Sequence, residues 1–305
     1  MRAIYMLLVL LLSTKAGAVI ETRIWYFEGE PSGSQVALWN ARPDGIRNMI
    51  FTAYMFSPRG IANIAAIERV GELEARTSVF PSRESVKAWK RLAAIPGMSI
   101  HYKASRLPSA FEHSILKEIG FKKITFNLTS LPARNEAALL ADLAGAEVAL
   151  EMDIGRLPNF DDKPALMNVP ASVLFVHKAD YWPRYIQMDV MNLLPHKHVL
   201  HISGQYPVME AFPYLHGIKR LQRVVVDADF EPSGAGVWTE FGALPVQWRS
   251  YRAVPGASGF SAFASSLSAG MRSVSVDAGE ITLSGAEVDR MRSAGVPVAW
   301  THPSP

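Results

Sequence analysis

The chain has 305 residues, of which 49% are hydrophobic, 31 basic and 28 acidic, with a formal net charge of +3 and no cysteine. This length and apolar content allow a large buried core, which excludes a disordered chain. The lack of cysteine excludes disulfides, thiolate metal ligands and a lipid attached through cysteine.

Residues 1–18 have the composition of a secretory signal peptide. Arg2 provides the positive end, residues 4–12 are apolar, and residues 16–18 read Ala-Gly-Ala, a small-residue cleavage site. The apolar run is short for a membrane span, so cleavage is expected. Removing Arg2 and Lys15 with this segment lowers the net charge from +3 to +1. We therefore predict a periplasmic or secreted protein, with no nucleic-acid partner and no stable membrane insertion after cleavage.

Residues 19–47 do not fit the pattern of the rest of the chain. Residues 23–27 alternate in the manner of a strand, and a loop rich in proline, glycine and serine follows. A repeat array needs an atypical first unit to cover its open end. We interpret this segment as an N-terminal cap and residues 48–305 as the repeat domain.

From about residue 48, predicted strands and helices alternate. A proline follows each strand at intervals of 23–27 residues, at positions 58, 81, 108, 132, 158, 183, 207, 232 and 255. A regular interval of this size indicates a repeat architecture. Capping boxes such as Ser109 with Glu112 predict helices between the strands. Because each helix must return the chain to the same end, the strands should be parallel.

The predicted strands have one apolar and one polar face. In one strand, Ile124 and Phe126 alternate with Thr125 and Asn127. The equivalent polar positions are Lys103, Asn127, Asp153, Lys178, Ser203, Asp227, Arg249 and Asp277. An eight-stranded barrel fills its interior with mostly apolar side chains, and charges buried there would be costly. The sequence therefore favours an α/β fold that is an open parallel β/α solenoid, a horseshoe of about ten repeats, with a (β/α)8 barrel as the alternative.

The strand motif resembles a known repeat family. The sequence from Ile124 to Leu131 has the form I-x-F-x-x-T-x-L, and that from Val274 to Ile281 has the form V-x-V-x-x-G-x-I. Both resemble the LxLxxNxL core of leucine-rich repeats, with the asparagine replaced. The helical return resembles the ribonuclease-inhibitor-like and cysteine-containing subclasses, here without the cysteine. The resemblance implies a horseshoe whose strands line a concave face, and a function in binding partners.

Aromatic residues recur beside the post-strand proline. Tyr181, Tyr206 and Phe230 hold the same place in three consecutive repeats, and Arg156 and Arg252 hold it in the flanking ones. Stacked one repeat apart, they would form an exposed aromatic strip, and aromatic residues and arginine dominate binding hot spots. The alternative is that the rings only cover loop backbone.

Several carboxylates lie near predicted strand ends, namely Glu151, Asp153 and Asp227. In a barrel they would be acid and base candidates for glycoside hydrolysis, whereas in a solenoid they would belong to a solvated row of charges. The favoured function is non-enzymatic binding of a protein or a cell-envelope glycan, and a glycan-active hydrolase is the alternative. The predicted ligand-binding residues are Arg156, Lys178, Tyr181, Tyr206, Asp227, Phe230 and Arg252.

One cluster of histidines comprises His196, His198 and His201, with His177 one repeat earlier. Together they could approach a metal ion. The simpler interpretation places His196 and His198 in a solvated loop and His177 in the core. We therefore predict no metal site and no cofactor.

Overall fold

The computed structural model describes residues 21–42, 47–143, 145–227, 240–242, 244–250, 273–277 and 298–303. Twelve strands lie within these residues: β1 Glu21–Glu28, β2 Arg47–Ala53, β3 Val70–Thr77, β4 Met98–Ser105, β5 Lys123–Leu128, β6 Glu147–Met152, β7 Leu174–Ala179, β8 Lys197–Ser203, β9 Leu221–Asp227, β10 Val246–Ser250, β11 Ser273–Asp277 and β12 Val298–Pro303.

Eight α-helices lie in the same described residues: α1 Gly33–Ala41, α2 Pro58–Ala65, α3 Val86–Ala93, α4 Ala110–Ile119, α5 Arg134–Leu139, α6 Lys163–Leu166, α7 Tyr185–Leu193 and α8 Phe212–Gly217. The predicted capping box of Ser109 and Glu112 is present at the start of α4, which ends at Gly120 in the left-handed conformation. None of the helices in the described ranges is long and apolar enough to cross a membrane.

Every strand pairs in parallel with the next one along the chain, and β1 also pairs with β12, so that the sheet forms a closed barrel. The predicted α/β class, with parallel strands alternating with helices, is confirmed. Of the features that the leucine-rich-repeat resemblance implies, the structure shows only this alternation of parallel strands with helices. The closure differs from the predicted open horseshoe, and the twelve strands differ from the eight of the alternative barrel.

The segment predicted as a cap explains the closure. Residues 21–28 form β1, which pairs with β2 on one side and with β12 on the other. Backbone N–H and C=O groups at the edges of an open sheet would lack partners, and this pairing satisfies them. The predicted strand at 23–27 is thus present, and it joins the two ends of the sheet.

The hydrophobic core lies between the outer face of the barrel and the helices. Phe27 of β1 stacks on Phe51 of β2 at a centroid distance of 4.9 Å, and Trp39 of α1 packs 4.7 Å from Phe27. Ile124 and Phe126 of β5, which the sequence predicts as core, are buried. The opposite face of the strands therefore lines the barrel interior, as the two-residue period requires.

A candidate binding site in the barrel mouth

Charged and polar side chains line the interior of the barrel near the ends of β3 to β7. They are Glu74, Arg76, His101, Lys103, Asn127, Glu151, Asp153 and Lys178, which we call the mouth cluster. Along β5 each polar residue on this face is partly exposed, while its apolar neighbours are buried. Apart from His101, which is the fourth of the eight residues of β4, these residues lie in the second half of a strand or directly after it. Active sites of (β/α)8 barrels occupy the same end.

Glu74 anchors one side of the mouth cluster. Its Oε1 lies 2.6 Å from Arg76 Nε and 3.6 Å from His101 Nδ1. Burial alone would raise the pKa of Glu74, but the contacts with His101 and Arg76 outweigh it and lower the pKa to about 2. Glu74 is therefore ionised at every physiological pH.

Glu151 anchors the other side. Its carboxylate forms an ion pair with Lys178 and accepts a hydrogen bond of 3.1 Å from Asn127 Nδ2. His101 Nε2 lies 3.9 Å from Glu151 Oε2, which places the imidazole between Glu74 and Glu151. Burial opposes ionisation of Glu151, but His101 and Lys178 outweigh it and lower its pKa. Lys178 Nζ also lies 3.6 Å from Asp153 Oδ2.

These pKa directions determine what the mouth cluster can do chemically. A general acid in glycoside hydrolysis needs a carboxyl group whose pKa is raised, so that it still carries a proton. Glu74 and Glu151 are both shifted the other way. The cluster therefore presents fixed acceptors and donors, an arrangement suited to binding a polar ligand.

A second polar pair lies further round the interior, on β8 and β9. His201 Nε2 forms a hydrogen bond with Asp227 Oδ2, and both side chains are buried. His201 is the register partner of Lys178 on β7, so this pair continues the row of the mouth cluster. Asp227, predicted as a ligand-binding residue and as a catalytic alternative, is thus held by a neighbouring histidine.

The structure places Arg156 and Tyr181 in the loops that follow β6 and β7. Arg156 forms a two-pronged ion pair with Asp162, with Nη2 2.7 Å from Oδ1. The Tyr181 hydroxyl accepts a hydrogen bond of 2.9 Å from the Leu157 amide. Tyr206 accepts a hydrogen bond of 2.9 Å at its carbonyl from Trp182 Nε1. Phe230 and Arg252 lie outside the described residues.

The histidine prediction needs a correction. His196 and His198 are both 0% exposed, so the predicted solvated loop is wrong. His177 Nε2 lies 3.1 Å from His198 Nδ1, and His198 Nε2 lies 3.1 Å from the Met191 carbonyl. His196 Nε2 lies 2.9 Å from the Val169 carbonyl, and its ring packs 4.4 Å from that of Phe175. Within the described ranges, no three His, Asp or Glu side chains are placed to share a metal ion.

The sequence prediction of site residues missed Glu74, Arg76 and His101. The alternation of residues 72–76, Glu-Leu-Glu-Ala-Arg, carries the same two-residue signal as β5. The signal for these positions was therefore present. The sequence did not indicate how β3 pairs with β4, and this pairing places Arg76 beside His101.

Neither a protein-family profile nor a curated protein sequence matches this chain. Among solved structures, the chain is similar to one from the tryptophan synthase α2β2 complex of Pyrococcus furiosus, at 13% identity and a TM-score of 0.32. The similarity covers 92% of this chain and 86% of that chain. A likeness this slight carries no argument about function.

Proposed function

We propose that this protein is exported and binds a cell-envelope glycan in the mouth of the barrel. The observation that carries the proposal is the network in which His101 lies between the ionised Glu74 and Glu151, with Lys178 and Asn127 held against Glu151. Sugar hydroxyls both donate and accept hydrogen bonds, so they match a surface that offers fixed carboxylates beside ammonium and amide donors.

The width of the barrel supports a ligand in this place. Barrel diameter grows with strand number, and side chains already fill an interior of eight strands. A closed sheet of twelve strands is therefore wider than one of eight. The exposure of Lys103 and Asp153 agrees with a solvated mouth. Charged residues that would be unfavourable in a dry interior are therefore tolerated, and they remain accessible to a ligand.

Aromatic residues at the same end of the barrel supply a second element. Tyr54 directly follows β2 and is 78% exposed, and Phe160 and Tyr185 are exposed in segments that follow β6 and β7. Tyr181, four residues before Tyr185, is half-buried. Aromatic rings provide large contact area at low entropic cost, and their faces can pack on the apolar face of a sugar ring.

Hydrolysis of the glycan is the second candidate, because the sheet closes and the carboxylates of Glu151 and Asp153 converge on Lys178. The lowered pKa of Glu151 argues against its use as the proton donor. Binding is therefore the better-supported function.

The test is calorimetric titration of the protein with two probes, chitotetraose as a neutral oligosaccharide and tetragalacturonate as an acidic one. We expect at least one to bind, and Glu151→Gln to weaken its binding roughly tenfold, because the variant loses a charged acceptor. Glu68→Gln is the control, since Glu68 is exposed in the turn before β3.

Retained affinity in Glu151→Gln, or binding of neither sugar, would contradict the proposal. Reducing ends should be assayed in the same samples. If the wild type releases new reducing ends and Glu151→Gln does not, the protein hydrolyses the glycan and does not only bind it. Capture of a protein partner that neither sugar displaces would favour the protein-binding alternative.

A further inference from the structure

The end of β4 is irregular at the point where it enters the mouth. Tyr102 pairs with Phe126 of β5, but the next pair is Ser105 with Leu128, so β4 has one more residue than β5 between them. This is a β-bulge, and Lys103 is part of it. Bulges beside functional sites turn a side chain away from the direction that regular pairing would give it.

The backbone after the bulge is also unusual. Ser105 has a φ of +61°, in the left-handed region that residues other than glycine seldom adopt. A serine keeps this conformation only where its surroundings impose it. The bulge and the left-handed residue together fix the position of Lys103 at the mouth.

Lys103 has no counter-ion among the described residues, unlike the cations on either side of it. Arg76 is paired with Glu74, and Lys178 is paired with Glu151 and Asp153. Partial burial lowers the pKa of Lys103, and the positive charges of Arg76 and Lys178 lower it further, outweighing the opposite effect of Glu151 and Glu74. Within the part of the chain that the structure describes, Lys103 is therefore an exposed ammonium group of the mouth without a side-chain ion pair.

We propose that Lys103 binds a carboxylate of the ligand, so that the preferred glycan is acidic and contains uronic acid. This rests on the proposed function and adds the class of sugar. A carboxylate fits better than a phosphate, because the negative charges of Glu151 and Asp153 disfavour a dianion more strongly than a monoanion. The ligand carboxylate would then neutralise the charge of Lys103, just as carboxylates of the protein neutralise the charges of Arg76 and Lys178.

The first experiment compares tetragalacturonate with chitotetraose in wild type, Lys103→Gln and Lys122→Gln. Lys122 is an exposed control that precedes β5 at the opposite end of the barrel. We expect tetragalacturonate to bind more tightly than chitotetraose in the wild type. Lys103→Gln should lower the affinity for tetragalacturonate about tenfold and leave that for chitotetraose unchanged. A tenfold loss is the effect of one charge-assisted hydrogen bond. Equal losses for both probes, or none, would overturn the proposal.

A second experiment does not depend on oligosaccharide binding. The lysines are methylated with 13C, which keeps their charge, and the Lys103 signal is identified by its absence in Lys103→Gln. We expect a saturable shift of this signal with glucuronate and none with glucose. No shift would overturn the Lys103 proposal even if chitotetraose binds. A larger response to inorganic phosphate than to glucuronate would overturn the assignment to a carboxylate. A glucuronate response without oligosaccharide binding would contradict only the glycan function.

Discussion

His177 and His198 form a hydrogen-bonded pair in the core between β7, β8 and α7. Because His198 Nε2 donates to the Met191 carbonyl, its Nδ1 carries a lone pair and accepts from His177 Nε2–H. This arrangement requires the His198 ring to be neutral, and burial favours the neutral form of His177 as well. Burial lowers the pKa of His198 to about 4 and lowers that of His177 well below its usual value.

This pair predicts that the protein loses stability in mild acid. Both folded-state pKa values lie below the unfolded value, so the unfolded state binds more protons once the pH falls below about 6.5. For His198 the free energy of unfolding should fall by about 2 kcal/mol between pH 7.5 and pH 5. Urea titrations at several pH values measure this fall.

The matched variants are His198→Gln and His216→Gln, since His216 lies on the exposed side of α8. His198→Gln should have a lower free energy of unfolding than the wild type at pH 7.5. That free energy should also depend less on pH, because the titrating group is gone. In His216→Gln the free energy of unfolding should depend on pH as it does in the wild type. Equal slopes in all three proteins would show that His198 titrates normally in the folded state.

At the scale of elements, two loops share one stabilising device. After β4, Arg106 forms a two-pronged pair with Glu112, and after β6, Arg156 forms the same pair with Asp162. In the first loop Glu112 also accepts a hydrogen bond from the backbone N–H of Ser109, and in the second Asp162 accepts one from that of Asn159. Both N–H groups lie where the chain enters the helical segment. The repeated sequence Arg-Leu-Pro thus fixes the direction in which the chain leaves a strand and enters a helix.

Burial predicts that the two pairs differ in strength. The side chain of Asp162 is 2% exposed and that of Glu112 is 22% exposed. Arg156→Ala leaves a buried carboxylate without its main partner and should lower the free energy of unfolding by about 2 kcal/mol. Arg106→Ala should lower it by less than half as much, since water can replace the arginine.

Urea titration of both variants at pH 7 provides the measurement. An Arg156→Ala protein as stable as the wild type would contradict a structural role for this pair. If that variant also loses affinity for chitotetraose or tetragalacturonate, Arg156 would act as the binding residue that its place in the repeat predicts.

At the scale of the molecule, closure of the barrel rests on β1 and β12, which come from opposite ends of the chain. The side chains of Arg76, Lys178 and Asp153 on the inner face are 29%, 27% and 49% exposed, so water reaches these charges. A polar strand face is therefore compatible with a closed sheet. The inference from polar residues to an open horseshoe assumed a barrel of eight strands, where the same charges would be dry.

The position of β1 bears on processing of the N-terminus. We predict cleavage after Ala18, and β1 begins at Glu21, so cleavage there leaves the strand complete. Intact mass of exported protein tests this prediction. Ala18→Leu should block processing, whereas Ala3→Leu should not. Exported wild-type protein that still carries residues 1–18 would contradict it.

The sequence by itself determined the local structure. A period of two assigned Phe126 to the core and Asn127 to the other face, and the proline interval predicted parallel strands alternating with helices, because these features depend on neighbouring residues. Pairing between distant strands was decided only by the tertiary structure. It closes the sheet through β1 and β12 and buries His196 and His198. It also sets His101 between Glu74 and Glu151. These contacts join residues from different repeats, and each repeat alone carries no signal for them.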